Sequence, residues 1–188
     1  LVSVPAANVP ILKLADGKEI PVSPRNMEII RSTQRVDIQL ADSGRLEYVA
    51  KSDPEAGQVE YNTLVVPRGC EFNLVLADGS RVWLNAGSSL KYPETFSGDE
   101  RRVYLEGEAY FEVEHDERAP FIVNTEAMDL RVLGTSFNIK AYNDDGSLYL
   151  HSYLYSGRTY YVVNPIIEME ENTTESEDHN VRLTGNLE

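Results

Sequence analysis

Residues Asn62 to Tyr142 read NTLVVPRGCEFNLVLADGSRVWLNAGSSLKYPETFSGDERRVYLEGEAYFEVEHDERAPFIVNTEAMDLRVLGTSFNIKAY. Apolar and polar residues alternate over short runs in this block, and glycine, proline, asparagine and aspartate separate the runs. Alternation with a period of two residues is typical of strands that bury one face. Helical periodicity is almost absent. The sequence therefore predicts an all-β domain built from short strands.

One hairpin signal occurs three times along the chain. Leu76-Ala77-Asp78-Gly79 lies between two alternating runs, and Leu14-Ala15-Asp16-Gly17 and the looser Leu40-Ala41-Asp42-Ser43-Gly44 repeat it upstream. An Asp-Gly pair between alternating runs is a strong signal for a tight antiparallel hairpin. The spacing between the three copies is unequal. Repeated hairpins with this spacing favour a twisted or rolled β-sandwich over a regular solenoid, with a short β-helix-like assembly as the alternative.

The chain divides into three regions by these signals. We expect residues 1–61 to form an N-terminal β-hairpin region, residues 62–142 the core β domain, and residues 143–188 a divergent or truncated C-terminal segment. This last region begins with a tyrosine-rich run and continues through an acidic stretch whose composition favours a loop. Its final residues, 181–188, are expected to return as an edge strand.

Composition excludes several classes of function. The chain has 188 residues, with 31 acidic and 17 basic side chains and a formal charge of −14. Nucleic-acid binding requires clustered lysine and arginine, so this balance argues against DNA or RNA as a partner. The single cysteine, Cys70, excludes an internal disulfide. No apolar run approaches the ~20 residues that a membrane-spanning helix requires.

The densest group of carboxylates lies on the strand predicted between residues 106 and 114. Paired carboxylates are the catalytic groups of glycoside hydrolases, and alternate positions on a strand have a compatible separation. An acidic strand face opposite arginines is also typical of a solvated sheet surface, and we favour that interpretation. The glutamates are Glu106, Glu108, Glu112 and Glu114, and the arginine expected opposite them is Arg81, Arg101 or Arg102.

Signals for other catalytic or metal sites are weak. The three histidines are isolated from one another and from the cysteine, which disfavours a zinc site. The Asp-Gly pairs lack the ligand spacing of a calcium loop and are explained by turn chemistry. No G-x-S-x-G motif is present. The sequence therefore predicts a protein that is not an enzyme and that has no cofactor and no metal.

Aromatic residues are the best candidates for contacts with a partner. The run from Leu148 to Val163 is rich in tyrosine and is predicted to form an exposed strand edge, which a partner strand can extend by backbone hydrogen bonds. A sugar-stacking platform around Trp83 is the alternative. The candidate residues are Trp83, Tyr149, Tyr153, Tyr155, Tyr160 and Tyr161.

Several motifs of the core block, in this order and at this spacing, resemble the FecR family of anti-sigma regulators, in the form common among Bacteroidetes. The matching pieces are Pro67-Arg68-Gly69, the segment LADGSRVWLNA from Leu76, the segment LEGEAYFEV from Leu105, Pro120-Phe121-Ile122-Val123 and the segment VLGTSFN from Val132.

This resemblance implies a role in signal transduction and transcription regulation. It implies the periplasmic ectodomain of a single-pass inner-membrane protein, which receives a signal from the signalling domain of a TonB-dependent outer-membrane transporter. Such a protein controls an extracytoplasmic-function sigma factor through a cytoplasmic region, and it meets the membrane through one transmembrane helix; both lie outside this chain. The alternative to this protein–protein function is a carbohydrate-binding β module without catalytic activity.

Overall fold

The computed structural model describes residues 8–22, 29–33, 35–41, 44–51, 59–126, 128–142, 147–153, 159–163, 168–172 and 178–184. Every regular element in these residues is a strand. They contain no helix that is long and apolar enough to cross a bilayer.

The strands are short, with one exception of twelve residues. In chain order they are β1 (Ile11–Lys13), β2 (Glu19–Pro21), β3 (Ile29–Ser32), β4 (Val36–Leu40), β5 (Leu46–Ala50), β6 (Tyr61–Val66), β7 (Phe72–Val75), β8 (Arg81–Leu84), β9 (Ser88–Pro93), β10 (Arg101–Glu112), β11 (Phe121–Asn124), β12 (Met128–Val132), β13 (Ser136–Ala141), β14 (Ser147–Tyr153), β15 (Thr159–Val163), β16 (Glu168–Asn172) and β17 (Asp178–Thr184).

These strands form two sheets that share the long strand β10. The first sheet has the order β2-β1-β6-β9-β10-β11-β12-β15. The second sheet has the order β3-β4-β5-β7-β8-β10-β13-β14-β17-β16. Pairing is antiparallel except between β10 and β11 and between β5 and β7. Together the sheets curl into a half-barrel, which confirms the predicted all-β rolled assembly.

Strand β10 changes sheets at Gly107. Its first half pairs with β9 and β11 in the first sheet, and from Gly107 onwards it pairs with β13. Gly107 has a φ of +97°, and a Cβ at this position would lie 2.8 Å from the Cα of Ser88. Only glycine can adopt this backbone conformation and also allow two strands to approach each other so closely. Gly107 therefore allows one strand to serve both sheets.

All three predicted hairpins are present, and their turns have the same backbone hydrogen-bond pattern. In each, the residue that begins the turn accepts a hydrogen bond from a glycine three positions later and donates one to the residue after that glycine. The three glycines have positive φ values, which at Gly17 and Gly79 is expected for a type I turn followed by a left-handed residue. Asp16 and Asp78 each accept a hydrogen bond from the backbone N–H two residues further on. The predicted turn chemistry is thus confirmed.

One hydrophobic core lies between the sheets. The predicted alternation on β10 is confirmed, because Leu105, Gly107, Ala109 and Phe111 are buried whereas Glu106 is exposed. Apolar side chains of both sheets belong to a single buried cluster, in which the rings of Phe111 and Phe137 stack with centroids 5.1 Å apart. The two sheets therefore fold around a common core, and β10 supplies residues to it along its whole length.

A buried polar network links the N-terminal hairpins to the rest of the core. The hydroxyl of Tyr48 accepts a hydrogen bond from the amide of Asn62 at 2.9 Å and lies 3.1 Å from the hydroxyl of Tyr92. The same amide lies 3.3 Å from a carboxylate oxygen of Glu94. Burial raises the pKa of Glu94, and the Asn62 hydrogen bond and the Arg31 charge only partly oppose this effect. The fold thus makes this carboxyl group harder to ionise than a glutamate side chain in water.

We expect Glu94→Gln to leave the free energy of unfolding unchanged, or to increase it, at pH 7 to 8. The folded-state pKa of Glu94 lies above its unfolded value, so its contribution to stability is fully present below the unfolded pKa and is lost as the pH rises through the folded pKa. In urea unfolding experiments, the stability of the wild type relative to Glu94→Gln should therefore fall as the pH rises above 4.5, the ordinary pKa of a glutamate side chain. Glu60→Gln is the matched control, because half-exposed Glu60 contacts the same Arg31. An equal pH trend in both variants would contradict the assignment to Glu94.

Two predictions for the C-terminal region are corrected. The acidic stretch expected to be a loop contains β16, which pairs with β17 over five residue pairs. Strand β17, expected at an edge, lies between β14 and β16. Backbone pairing with a neighbouring strand overrides the low strand propensity of the acidic segment.

Candidate partner-binding surface

The outer face of the second sheet carries an aromatic pair. Trp83 of β8 is directly opposite Tyr110 of β10, and their ring centroids are 5.5 Å apart with a tilt of 53° between the planes. Both residues are half-buried, and they alternate along their strands with the buried residues Val82, Leu84 and Phe111. The pair therefore lies on the solvent side of the sheet.

Glu108 organises the polar side chains beside this pair. One of its carboxylate oxygens accepts a hydrogen bond from the amide of Asn85, and the other accepts one from the amide of Asn138, each at 3.2 Å. Because both amides are held by one carboxylate, their positions are fixed relative to the aromatic pair. We call the surface formed by Trp83, Asn85, Glu108, Tyr110 and Asn138 the Trp83 face.

The acidic face of β10 behaves as a solvated sheet surface, as predicted. Arg81 forms an ion pair with Glu112 at 3.4 Å. The other two arginines have different partners: Arg102 contacts Glu100 and Asp129, and Arg101 is buried. No cluster of three or more potential metal-ligating side chains occurs among the described residues.

Two of the candidate tyrosines lie in β14, next to the strand that carries Asn138. The register places Tyr149 opposite Lys140 and Tyr153 opposite Ser136. Both positions are therefore in the same sheet as the Trp83 face, one strand beyond it. Tyr155 lies outside the residues that the structure describes.

The other two candidates, Tyr160 and Tyr161, lie in β15 of the first sheet. Tyr160 is opposite the exposed residue Arg131, and Tyr161 is opposite the buried residue Leu130. The register thus places position 160 on the outer side of the sheet and position 161 on the core side.

The prediction that the run from Leu148 to Val163 forms a single exposed edge is wrong. Strand β14 pairs with β13 on one side and with β17 on the other, so its backbone groups are used on both sides. Strand β15 pairs with β12 and with no other strand that the structure describes. Within the part of this run that the structure describes, an open edge is therefore restricted to Thr159–Val163.

Sequence reasoning missed a second aromatic group, on the outer face of the first sheet. The ammonium group of Lys91 lies 5.3 Å from the ring centroid of Tyr61 and 5.6 Å from that of Tyr104. These three residues come from β6, β9 and β10, and Tyr104 is one of the exposed large hydrophobic residues in the described part of the chain. Only the pairing of these strands brings the residues together, so no local sequence signal identifies the group.

Comparison with known proteins gives a family-model match and similar crystal structures. The family model described as "FecR protein" matches residues 62–151, which extends nine residues beyond the predicted core block. Two crystal structures of a candidate anti-sigma factor from Parabacteroides distasonis are similar to the chain, with 35% identity in both cases and TM-scores of 0.51 and 0.50. They cover 64% and 63% of this chain, which spans 59% and 58% of theirs. Among curated proteins there is no match.

Proposed function

We propose that the chain, whose residues 62–151 match the family model described as "FecR protein", is the signal-receiving, periplasmic part of a transmembrane anti-sigma factor. In this role it receives a signal from the signalling domain of a TonB-dependent outer-membrane transporter. The signal then passes through the membrane to an extracytoplasmic-function sigma factor. The observation that carries this proposal is the family match, supported by 35% identity to a candidate anti-sigma factor.

The surface chemistry is compatible with protein recognition. The described side chains contain no cluster of metal ligands. On β10, Glu112 forms an ion pair with Arg81, and Glu108 accepts hydrogen bonds from two amides. A carboxylate that holds two amide side chains in fixed positions orders the surface around it. An ordered, mixed aromatic and polar surface is typical of a protein–protein contact.

Binding to transporter signalling domains tests the proposal. A panel of purified signalling domains from the TonB-dependent transporters of the same genome is titrated into the chain by isothermal calorimetry. We expect one member to bind saturably, with a Kd on the order of 1 μM, as for other transient regulatory contacts. Absence of binding to every member, with the chain shown to be folded by circular dichroism, would contradict the proposal.

A second candidate function is carbohydrate binding at the Trp83 face. The observation that favours it is the placement of two fixed amide side chains beside an outward-facing tryptophan, since sugars bind through ring stacking combined with hydrogen bonds.

We expect a glycan ligand, if this second function is correct, to lose at least about tenfold in affinity with Trp83→Ala. The reason is that removing the indole removes the stacking surface. Tyr104→Ala is the matched control, because Tyr104 is an exposed aromatic residue on the other sheet. A glycan array that shows no binding to the wild type, or equal binding to both variants, would eliminate this candidate.

A further inference from the structure

The two sheets end in four edge strands among the described residues. These are β2 and β15 in the first sheet and β3 and β16 in the second. An edge strand presents unpaired backbone groups, and natural proteins protect such edges with short length, proline, bulges or charged side chains. An edge strand that carries these features resists pairing with another strand, and one that lacks them is open to it.

Three of the four edges carry protective features. Strand β2 has only three residues and ends in Pro21. Strand β3 has a register shift between Ile29 and Arg31 and carries the charge of Arg31. Strand β16 has the sequence EMEEN, with three carboxylates in five residues.

Strand β15 carries none of these features. Its sequence, TYYVV, has no charge and no proline, and its register against β12 runs through all five residues without a bulge. Aromatic and β-branched residues have the highest preference for strands. An uncharged, regular strand of this composition is the type of edge that recruits another strand.

We propose that β15 is the docking edge for an extended segment of the partner's signalling domain, which adds to the first sheet as a further strand. This inference rests on the proposed function. The backbone groups of β15 that do not face β12 form the new ladder, and they supply affinity without requiring particular side chains. The register places positions 160 and 162 on the outer side of the sheet, opposite Arg131 and Asp129, where partner side chains contribute specificity.

A second copy of this chain is a poorer occupant of the edge. Each chain carries a formal charge of −14, so edge-to-edge pairing of two copies brings two strongly acidic molecules together. A partner of lower negative charge avoids this repulsion.

Tyr160→Lys and Tyr153→Lys form a matched pair of variants that tests the inference. Both replace a tyrosine with lysine, but position 160 lies on the edge strand β15 and position 153 on β14, which is paired on both sides. A lysine on an edge strand opposes the addition of another strand. In calorimetry with the signalling domain that binds the wild type, we expect Tyr160→Lys to weaken binding by at least about tenfold and Tyr153→Lys to change it by less than about twofold.

Amide hydrogen exchange of the wild-type complex provides a test that does not depend on the folding of a variant. Successive N–H groups of a strand point to opposite neighbours. We therefore expect the signalling domain to slow exchange at alternate amides of Thr159–Val163 and to leave the amides of β14 unchanged.

The outcomes separate this inference from the proposed function. Binding of a signalling domain without protection of β15, or with equal weakening by both variants, would overturn the inference alone. Failure of the whole panel to bind would overturn the proposed function and this inference with it. A dimer of the chain alone that Tyr160→Lys dissociates would show that a second copy occupies the edge, which also overturns the inference.

Discussion

Replacing Arg101 with methionine is expected to destabilise the fold by about 3–5 kcal/mol. Arg101 is only 4% exposed. Its guanidinium group donates to the carboxylate of Asp78 at 2.7 Å and to the backbone carbonyls of Ala119 and Glu114 at 2.7 and 2.9 Å. Methionine fills a similar volume but leaves the Asp78 carboxylate and the carbonyls without their charged donor. The large effect follows from leaving a charge buried without its partner.

Through Asp78, the contact of Arg101 also holds the turn between β7 and β8 in place. The Asp78 carboxylate also accepts hydrogen bonds from the backbone N–H and the hydroxyl of Ser80, and that hydroxyl accepts one from the backbone N–H of Glu114. Arg101 therefore fixes the β7–β8 turn against the end of β10. We expect the loss to appear in urea unfolding and as a fall of roughly 10 °C in Tm.

Arg102→Met is the matched control for Arg101→Met. Arg102 is the next residue in the chain and is also ion-paired, with Glu100 and Asp129, but its side chain is partly exposed. Exposed pairs contribute less than about 1 kcal/mol. The double variant Arg101→Met/Asp78→Asn should recover part of the lost stability, because it removes the uncompensated charge. Equal losses in the two single arginine variants would contradict the importance of burial at Arg101.

Gly107→Ala is expected to cost at least about 3 kcal/mol, with the loss arising from backbone strain and from a steric clash. The φ of +97° is unfavourable for alanine, and the added Cβ would lie 2.8 Å from both the Cα and the Cβ of Ser88. Since a backbone atom is among the contacts, a change of side-chain rotamer cannot relieve the overlap. Urea unfolding at neutral pH measures the cost, and Ser88→Ala is not expected to rescue the variant.

Gly17→Ala separates the two contributions. Gly17 also has a positive φ, of +84°, but no atom lies within 4 Å of its added Cβ. Its substitution should therefore cost only the conformational strain, about 1–2 kcal/mol. If Gly107→Ala proved as mild as Gly17→Ala, the close contact between β9 and β10 would not be a determinant of the fold.

The local features of the fold could be predicted from the sequence. The alternation from Leu105 to Val113 assigns the buried side of β10 correctly, because side chains of a strand point to opposite faces in turn. The prediction of a hairpin at Asp78-Gly79 is also confirmed, since the turn depends on the conformations of neighbouring residues. Each of these features is determined within a few residues of the chain.

Features that depend on strand partners could not be predicted. The run from Leu148 to Val163 reads as one aromatic edge, yet its two strands belong to different sheets. Arg101 reads as a surface partner for the glutamates of β10, yet it is buried against Asp78. The contact of Lys91 with two tyrosines also needs strands that are far apart in sequence.

The sequence by itself determined that the chain forms short strands, where its hairpins turn and which family its core block resembles. The tertiary structure decided which strands are neighbours, where the edges lie and which charges are buried. The physical reason is that side-chain alternation and turn conformation are local properties, whereas a strand's hydrogen-bonding partner is selected by packing over the whole chain. For the candidate docking surface, this selection leaves β15, alone among the four described edges, without a protective feature.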